Sequence, residues 1–392
     1  VNKLLVMLVI VAMLMPAMAW AEAPTEYVVT VFYAEHWTDQ GWNMAHHRVW
    51  EHVKAQGQLI DEWDLGFLVE FPDGKRLRVN YVTDCGYGPD IEAKMRSAIA
   101  IQKPDMIYGT WWNAQDAIRD LAPEFPDVLF NHCSGYPVLA SNQIETQNVA
   151  TYFVRMYYGD YQVGKVAGWM GYSKIGVVAT YPIPEPVRGF NAFALGLQSG
   201  LREAGYDDDI EVNIIWIFSW LNREAELLAT QAQIEAGYPV IKQGADTPTT
   251  AQTACAEEKD VVTLGYGSDT LPSAPCTTVT NEWDWGDYYY KSVRSGMDGV
   301  WEPHDYYESG TKLVFNDSVP QDIQDKARAI PLEEVWGTDV SGYGFDENGV
   351  RYNIIVPAGD LTDDDLLSMQ WWVDGIVTSQ MVKAPKFRFA VD

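Results

Sequence analysis

Lys174-Ile-Gly-Val-Val-Ala-Thr-Tyr-Pro-Ile-Pro-Glu-Pro-Val-Arg-Gly-Phe-Asn-Ala-Phe193 decides the fold. The apolar run over 174–179 reads as a buried strand, and 186–204 carries apolar residues at helical spacing. A strand over 210–217 follows, so the stretch opens a βαβ unit of a parallel sheet. The alternation continues outward with helix 223–235, strand 240–243, helix 249–258 and strand 261–266, preceded by a helix over 151–168. Upstream an equivalent series runs as strand 27–33, helix 41–56, strand 77–81, helix 89–102, strand 105–109, helix 114–122 and strand 128–131. Two doubly wound α/β lobes are the natural outcome.

Beyond residue 277 the pattern is less regular: a strand at 277–280, a helix at 285–298, a hairpin over 342–357 turning at Asp346-Glu-Asn-Gly349, and a last helix over 362–376. No low-complexity linker separates the lobes, so the chain is expected to cross a hinge more than once. The expected organisation is a signal peptide at 1–21, a first lobe at 24–140 plus about 281–300, a second lobe at 141–280, and an extension at 301–392 that neither lobe claims.

Composition sets the limits. The 392 residues include 55 acidic and 27 basic side chains, a net charge of −28, which excludes a basic footprint for nucleic acid. Lys3 followed by the apolar run Leu4 to Met18 and the Ala-Met-Ala and Ala-Trp-Ala cleavage patterns predict export by a cleaved signal. Cys85, Cys133, Cys255 and Cys276 allow three pairings, of which Cys255 with Cys276 is the most local; buried free thiols are the alternative. No cysteine or histidine spacing fits a metal, and His46-His47 reads as a solvated helix surface. Nucleotide-loop and serine-nucleophile motifs are absent, so neither a cofactor nor catalysis is expected.

In an open parallel sheet the ligand lies beyond the carboxyl ends of the strands. Those positions carry Asp39, Trp42 and Asn43 after the first strand, Trp111 after the third, and Trp220, Asp246 and Asp269 after later ones. Trp42 and Trp220, from different lobes, could clamp a planar ring, with about 1–3 kcal/mol from each stacked face. The aspartates accept hydrogen bonds from ring N–H or hydroxyl groups and Asn43 both donates and accepts; helix capping is the bland alternative for each aspartate.

Asp39-Gln-Gly-Trp-Asn43, Phe125-Pro-Asp-Val-Leu-Phe-Asn131, the run Asn148 to Gly168, the quoted stretch 174–193, Ser268-Asp269 and Trp283-Asp-Trp-Gly-Asp-Tyr-Tyr289 together resemble the basic membrane protein (BMP) family of substrate-binding proteins, over roughly 27–302. The resemblance implies a type I periplasmic-binding-protein fold serving an ABC importer for purines or nucleosides. It also implies a monomer that meets the membrane only through the permease. It maps a base-stacking aromatic to Trp42, a base-contacting polar residue to Asn43, a strand-end acid to Asp269 and an opposing wall to Trp220, with Asp246 and Trp111 as further contacts. Nucleoside binders of the family carry a lysine before the helix at 285; Thr280-Asn-Glu-Trp283 has none, which favours a free base. A chemoreceptor's sensory module and a periplasmic nucleoside hydrolase are the alternatives.

Overall fold

The computed structural model describes residues 25–134, 147–257, 260–308 and 310–391, so the expected signal at 1–21 lies outside the described residues. The first sheet takes β1 (Glu26–Phe32), β2 (Gln58–Trp63), β3 (Gly66–Glu70), β4 (Arg76–Val82), β5 (Met106–Gly109), β6 (Leu129–Cys133) and β7 (Val149–Val154). The second takes β8 (Lys174–Ala179), β9 (Glu211–Trp216), β10 (Val240–Gly244), β11 (Val262–Gly267) and β12 (Thr277–Trp283). After β12, β13 (Asp305–Glu308) returns to the first sheet and β14 (Thr311–Phe315) to the second, giving the orders β13-β7-β6-β5-β1-β4-β3-β2 and β14-β12-β11-β10-β8-β9. The chain therefore passes between the lobes three times, after β7, β12 and β13. This is the type I periplasmic-binding-protein architecture.

The central strands pair in parallel and are apolar on both faces, as helices on both sides of a sheet require. Val29, Val31, Val177 and Ile175 are wholly buried, each contributing about 1.5–3 kcal/mol relative to exposure. The helices Met156–Trp169 and Pro184–Glu203 approach closely enough that a methyl group on Gly164, Gly168, Gly196 or Gly200 would overlap the partner's backbone. Helical glycine costs about 1 kcal/mol against alanine, and here the near contact of two backbones offsets it. Cys255 and Cys276 are joined by a disulfide, while Cys85 and Cys133 are buried free thiols.

Three expectations are corrected and one hairpin is added. Residues 149–154, placed in a helix over 151–168 and in the second lobe, form β7 of the first sheet: Val-Ala-Thr-Tyr-Phe-Val is dominated by β-branched and aromatic residues, pairs with β6, and the helix starts only at Met156. The added hairpin, β2–β3, is an antiparallel edge, where one exposed strand carries little periodic signal. The last helix spans only Asp363–Leu367, held by a capping box between Thr362 and Asp365. Its continuation, Trp371-Trp372-Val373, is buried, and β17 (Trp372–Val373) and β18 (Ile376–Thr378) pair with sheets instead. Finally, His46 is buried rather than solvated, stacking on Trp285 at 3.8 Å with Nδ1 2.7 Å from the Tyr289 hydroxyl.

The hairpin β15 (Val340–Phe345) and β16 (Arg351–Val356) falls where the Asn-Gly turn predicts it. With β17 and β19 (Ala390–Val391) it builds a small antiparallel sheet, and β18 extends the second sheet beside β9. Most of the extension thus packs on the second lobe.

Candidate functional site

A cleft between the lobes lies at the carboxyl ends of β1, β5, β8 and β10. Ala34, Trp111 and Trp112 reach it from the first lobe, and Thr180, Gly244 and Asp246 from the second. Asp39, Trp42, Asn43 and Trp220 also line it, so six of the seven sequence-predicted residues share this one cavity.

The first wall is held by a tight turn. After a single 3-10 turn, Gln40 adopts a left-handed conformation (φ 64°) and the helix Trp42–Lys54 begins. The Asp39 carboxylate accepts from the backbone N–H of Gly41 (3.1 Å), Asn43 (2.8 Å) and Met44 (3.0 Å) and from Asn43 Nδ2 (2.8 Å). Asp39 is therefore spent as a helix cap, an acid at the positive end of the helix dipole, and it orients Asn43. The Trp42 indole N–H donates to the Thr110 carbonyl at 2.8 Å, and its ring meets the edges of Trp283 and Trp285, each at 5.3 Å. Those two rings stack on each other at 4.8 Å where the chain returns from β12 to the first lobe.

From the second lobe Trp220 leans on Tyr181 at 4.9 Å. Trp111 is buried at the rim of β5. Asp269 stands apart from the cleft: its carboxylate accepts from Leu271 N–H at 3.0 Å and its own N–H donates to Glu282 at 2.7 Å. Gly267, at φ 80°, turns the chain so that the neighbouring residue faces the first lobe, with the Ser268 hydroxyl donating to the Gln40 carbonyl at 2.6 Å.

Several cleft residues escaped the sequence reading. Phe153 and Phe190 add apolar wall, and Asp160 and Glu185 add charge. Asp160 is buried and paired with the fully buried Lys242 at 2.8 Å. A signal existed: one acid inside the apolar run of 156–168 and one lysine inside Val-Ile-Lys-Gln-Gly of β10 are complementary outliers. Glu185 lies in the first turn of its helix, where an acid is unremarkable; nothing in sequence indicates that it faces a cavity. The Tyr266 hydroxyl donates to it at 3.0 Å.

Burial pushes the Asp246 carboxyl well above the usual carboxylate range, and the charges of Glu185, Glu226 and Asp39 add to the rise. Burial likewise pushes Glu185 up to about 7, against the pull of Arg188 and Tyr266. Among the described residues, no group of three His, Cys, Asp or Glu could hold a metal ion.

The lobes meet directly. Trp42 N–H donates to the Asp246 carbonyl (3.2 Å), Arg223 donates to the Asp39 carbonyl (3.2 Å), and Arg48 pairs with Glu282 (2.7 Å). The turn 39–42 is thus clasped by the second lobe. Aromatic faces, enclosed carboxyls and opposed lobes suit the sequestration of a small ring-shaped ligand.

Residues 68–303 match the family described as ABC transporter substrate-binding protein PnrA-like (Bmp), more than half of the chain. The chain is 27% identical over 347 residues to a purine-binding protein of Brucella abortus, covering 86% of this chain and 89% of that one. It is also 27% identical over 304 residues to a putative ABC transporter glucose-binding protein, TsgA13, of Haloferax volcanii, covering 74% of this chain and 68% of that one. A solved ABC transporter solute-binding protein from Conexibacter woesei shares the fold with a TM-score of 0.57 at 20% identity, covering 77% of this chain and 94% of that one.

Proposed function

The chain belongs to the family of PnrA-like ABC transporter substrate-binding proteins, and from that premise we propose that it is exported and captures a purine nucleobase between its lobes for delivery to an importer permease. The observation that carries this is the meeting of Trp42 and Trp220, from opposite lobes, in one cleft with polar groups around them. Two stacked faces supply about 2–6 kcal/mol, and micromolar capture needs about 8, so polar contacts to the ring edge make up the rest. We assign that role to Asn43, Trp111, Asp246 and Glu185, which line the cleft. Asp269, turned into its own loop, is left out of it.

A free base is favoured over a nucleoside. The stretch 280–283 has no lysine, and Asn281 directs its amide to Asp160 at 3.3 Å, inside the second lobe. Export is supported by the signal-like start of the sequence and by the Cys255–Cys276 disulfide, which suits an oxidising compartment. Among the described residues no helix is long and apolar enough to cross a membrane.

A sugar is the second reading, because carboxylates beside aromatic faces also suit hydroxyl groups, and one relative is named for glucose. Calorimetric titration of refolded, ligand-stripped protein with adenine, guanine, hypoxanthine, xanthine, their nucleosides and glucose decides between them. Tight binding of a base, with its nucleoside about a hundredfold weaker, supports the proposal. Comparable nucleoside binding removes the free-base part of it, and binding of glucose alone replaces it.

A further inference from the structure

We infer that the cleft selects for an uncharged ligand edge rich in N–H or O–H donors, read by the facing carboxyls of Glu185 and Asp246, and that it rejects anionic relatives of the same ring. The inference deepens the proposed capture role and rests on the interlobe cleft being the ligand site.

Four carboxyls line the cleft, Asp39, Asp160, Glu185 and Asp246, and among the described residues that line it none is Lys or Arg. Two of the four are already committed. Asp39 accepts from three backbone N–H groups and the Asn43 amide, and Asp160 is neutralised by Lys242. Glu185 has the Tyr266 hydroxyl and a nearby Arg188 outside the cleft lining, which leaves acceptor capacity toward the cavity. Asp246 is partly buried beside other acids, and burial and their charges disfavour its charged form.

Carboxyl oxygens lining a cleft are satisfied by N–H or O–H donors, and an anion brought there finds no counter-charge in the described lining. Taking an anion out of water is costly unless it is paired, and no cation in the described lining repays that cost. The Trp42 and Trp220 faces act in the same direction, since the negative face of an aromatic ring favours cationic or neutral partners. An aminopurine or oxopurine with adjacent ring N–H groups fits, as does a neutral sugar. Urate and hexuronates, anions at neutral pH, do not.

Paired ligands test this. Full-length mature protein is titrated with guanine against urate and with glucose against glucuronate, each in wild type, Glu185→Gln, Asp246→Asn and the double variant. The neutral member of the bound pair should exceed its acid by about a hundredfold, and the double variant should narrow that ratio by about tenfold or more. Either single variant serves if the double variant does not fold. An acid that binds as tightly as its neutral partner, a ratio unmoved by the substitutions, or no binding by any of the four overturns the inference. Binding by glucose in place of guanine, with the charge preference intact, overturns only the purine assignment.

Discussion

Gly41 lies against the main chain of Asp246 across the lobe interface: the next residue's N–H, from Trp42, donates to the Asp246 carbonyl at 3.2 Å, and a methyl group on Gly41 would overlap that oxygen. The contact joins the turn that carries Trp42 to Asp246, and both residues line the cleft. The lobes meet this closely here because position 41 carries no side chain.

Gly41→Ala is expected to hold the lobes apart without unfolding either one. Ligand affinity should fall by about tenfold or more, because the ligand then meets one wall instead of two. Small-angle scattering with saturating ligand should give a larger radius of gyration than wild type. A Gly41→Ala variant that still closes and binds tightly would remove this role for the contact.

Trp220→Ala and Trp42→Ala should both weaken binding by about tenfold or more, but only the second should also cost stability. Trp42 donates to Thr110 and packs on Trp283, Trp285 and His46, whereas Trp220 rests on Tyr181 in a loop. A loss of about 3 kcal/mol, the lower end for a partly buried Trp, is expected for Trp42→Ala and little for Trp220→Ala. Denaturant titration alongside calorimetry separates the two effects.

Glu226 is wholly buried, with both carboxyl oxygens within 3.0 Å of the Thr247 hydroxyl, and burial pushes its pKa up to about 7 from an ordinary 4.5. The folded chain therefore keeps a proton that the unfolded chain releases. This contribution is fully present below about pH 4.5 and is lost as pH rises through about 7, a swing of roughly 3 kcal/mol. Glu226→Gln should be more stable than wild type at pH 8 and show a flatter profile between pH 5 and 8. Identical denaturation midpoints for the two proteins across that range would count against the assignment.

Lys242→Met should cost about 3–5 kcal/mol, because it strands the Asp160 carboxylate in the interior beside the cleft. Adding Asp160→Asn should recover most of the loss, since the amide no longer needs a cation. A double variant as unstable as the single one would show that Lys242 acts through packing on Phe193 and Tyr266 instead.

Much of the architecture is legible in local sequence because strands and helices here alternate with distinct periods. The helix Arg223–Glu235 lies where its pattern predicts it, and the hairpin turns at Asn348-Gly349. The Cys255–Cys276 bridge is legible because its partners flank one strand. Reading fails where a short run fits two periods, as at 149–154, or where capping is strong but packing ends the helix early, as after Leu367.

The site divides along the same line. Sequence alone determined which positions follow the strands, hence the gathering of Trp42, Asn43, Trp111, Trp220 and Asp246, since the carboxyl ends of a parallel sheet form one crevice whatever the loops contain. Only the tertiary structure decided that Asp39 is spent on capping, that Asp269 turns away while Ser268 faces the first lobe, and that Asp160 and Glu185 line the cavity. The physical reason is that a carboxyl's role depends on whether water, an N–H group or a cation reaches it, and those neighbours come from segments far apart in the chain, brought together only when the lobes close.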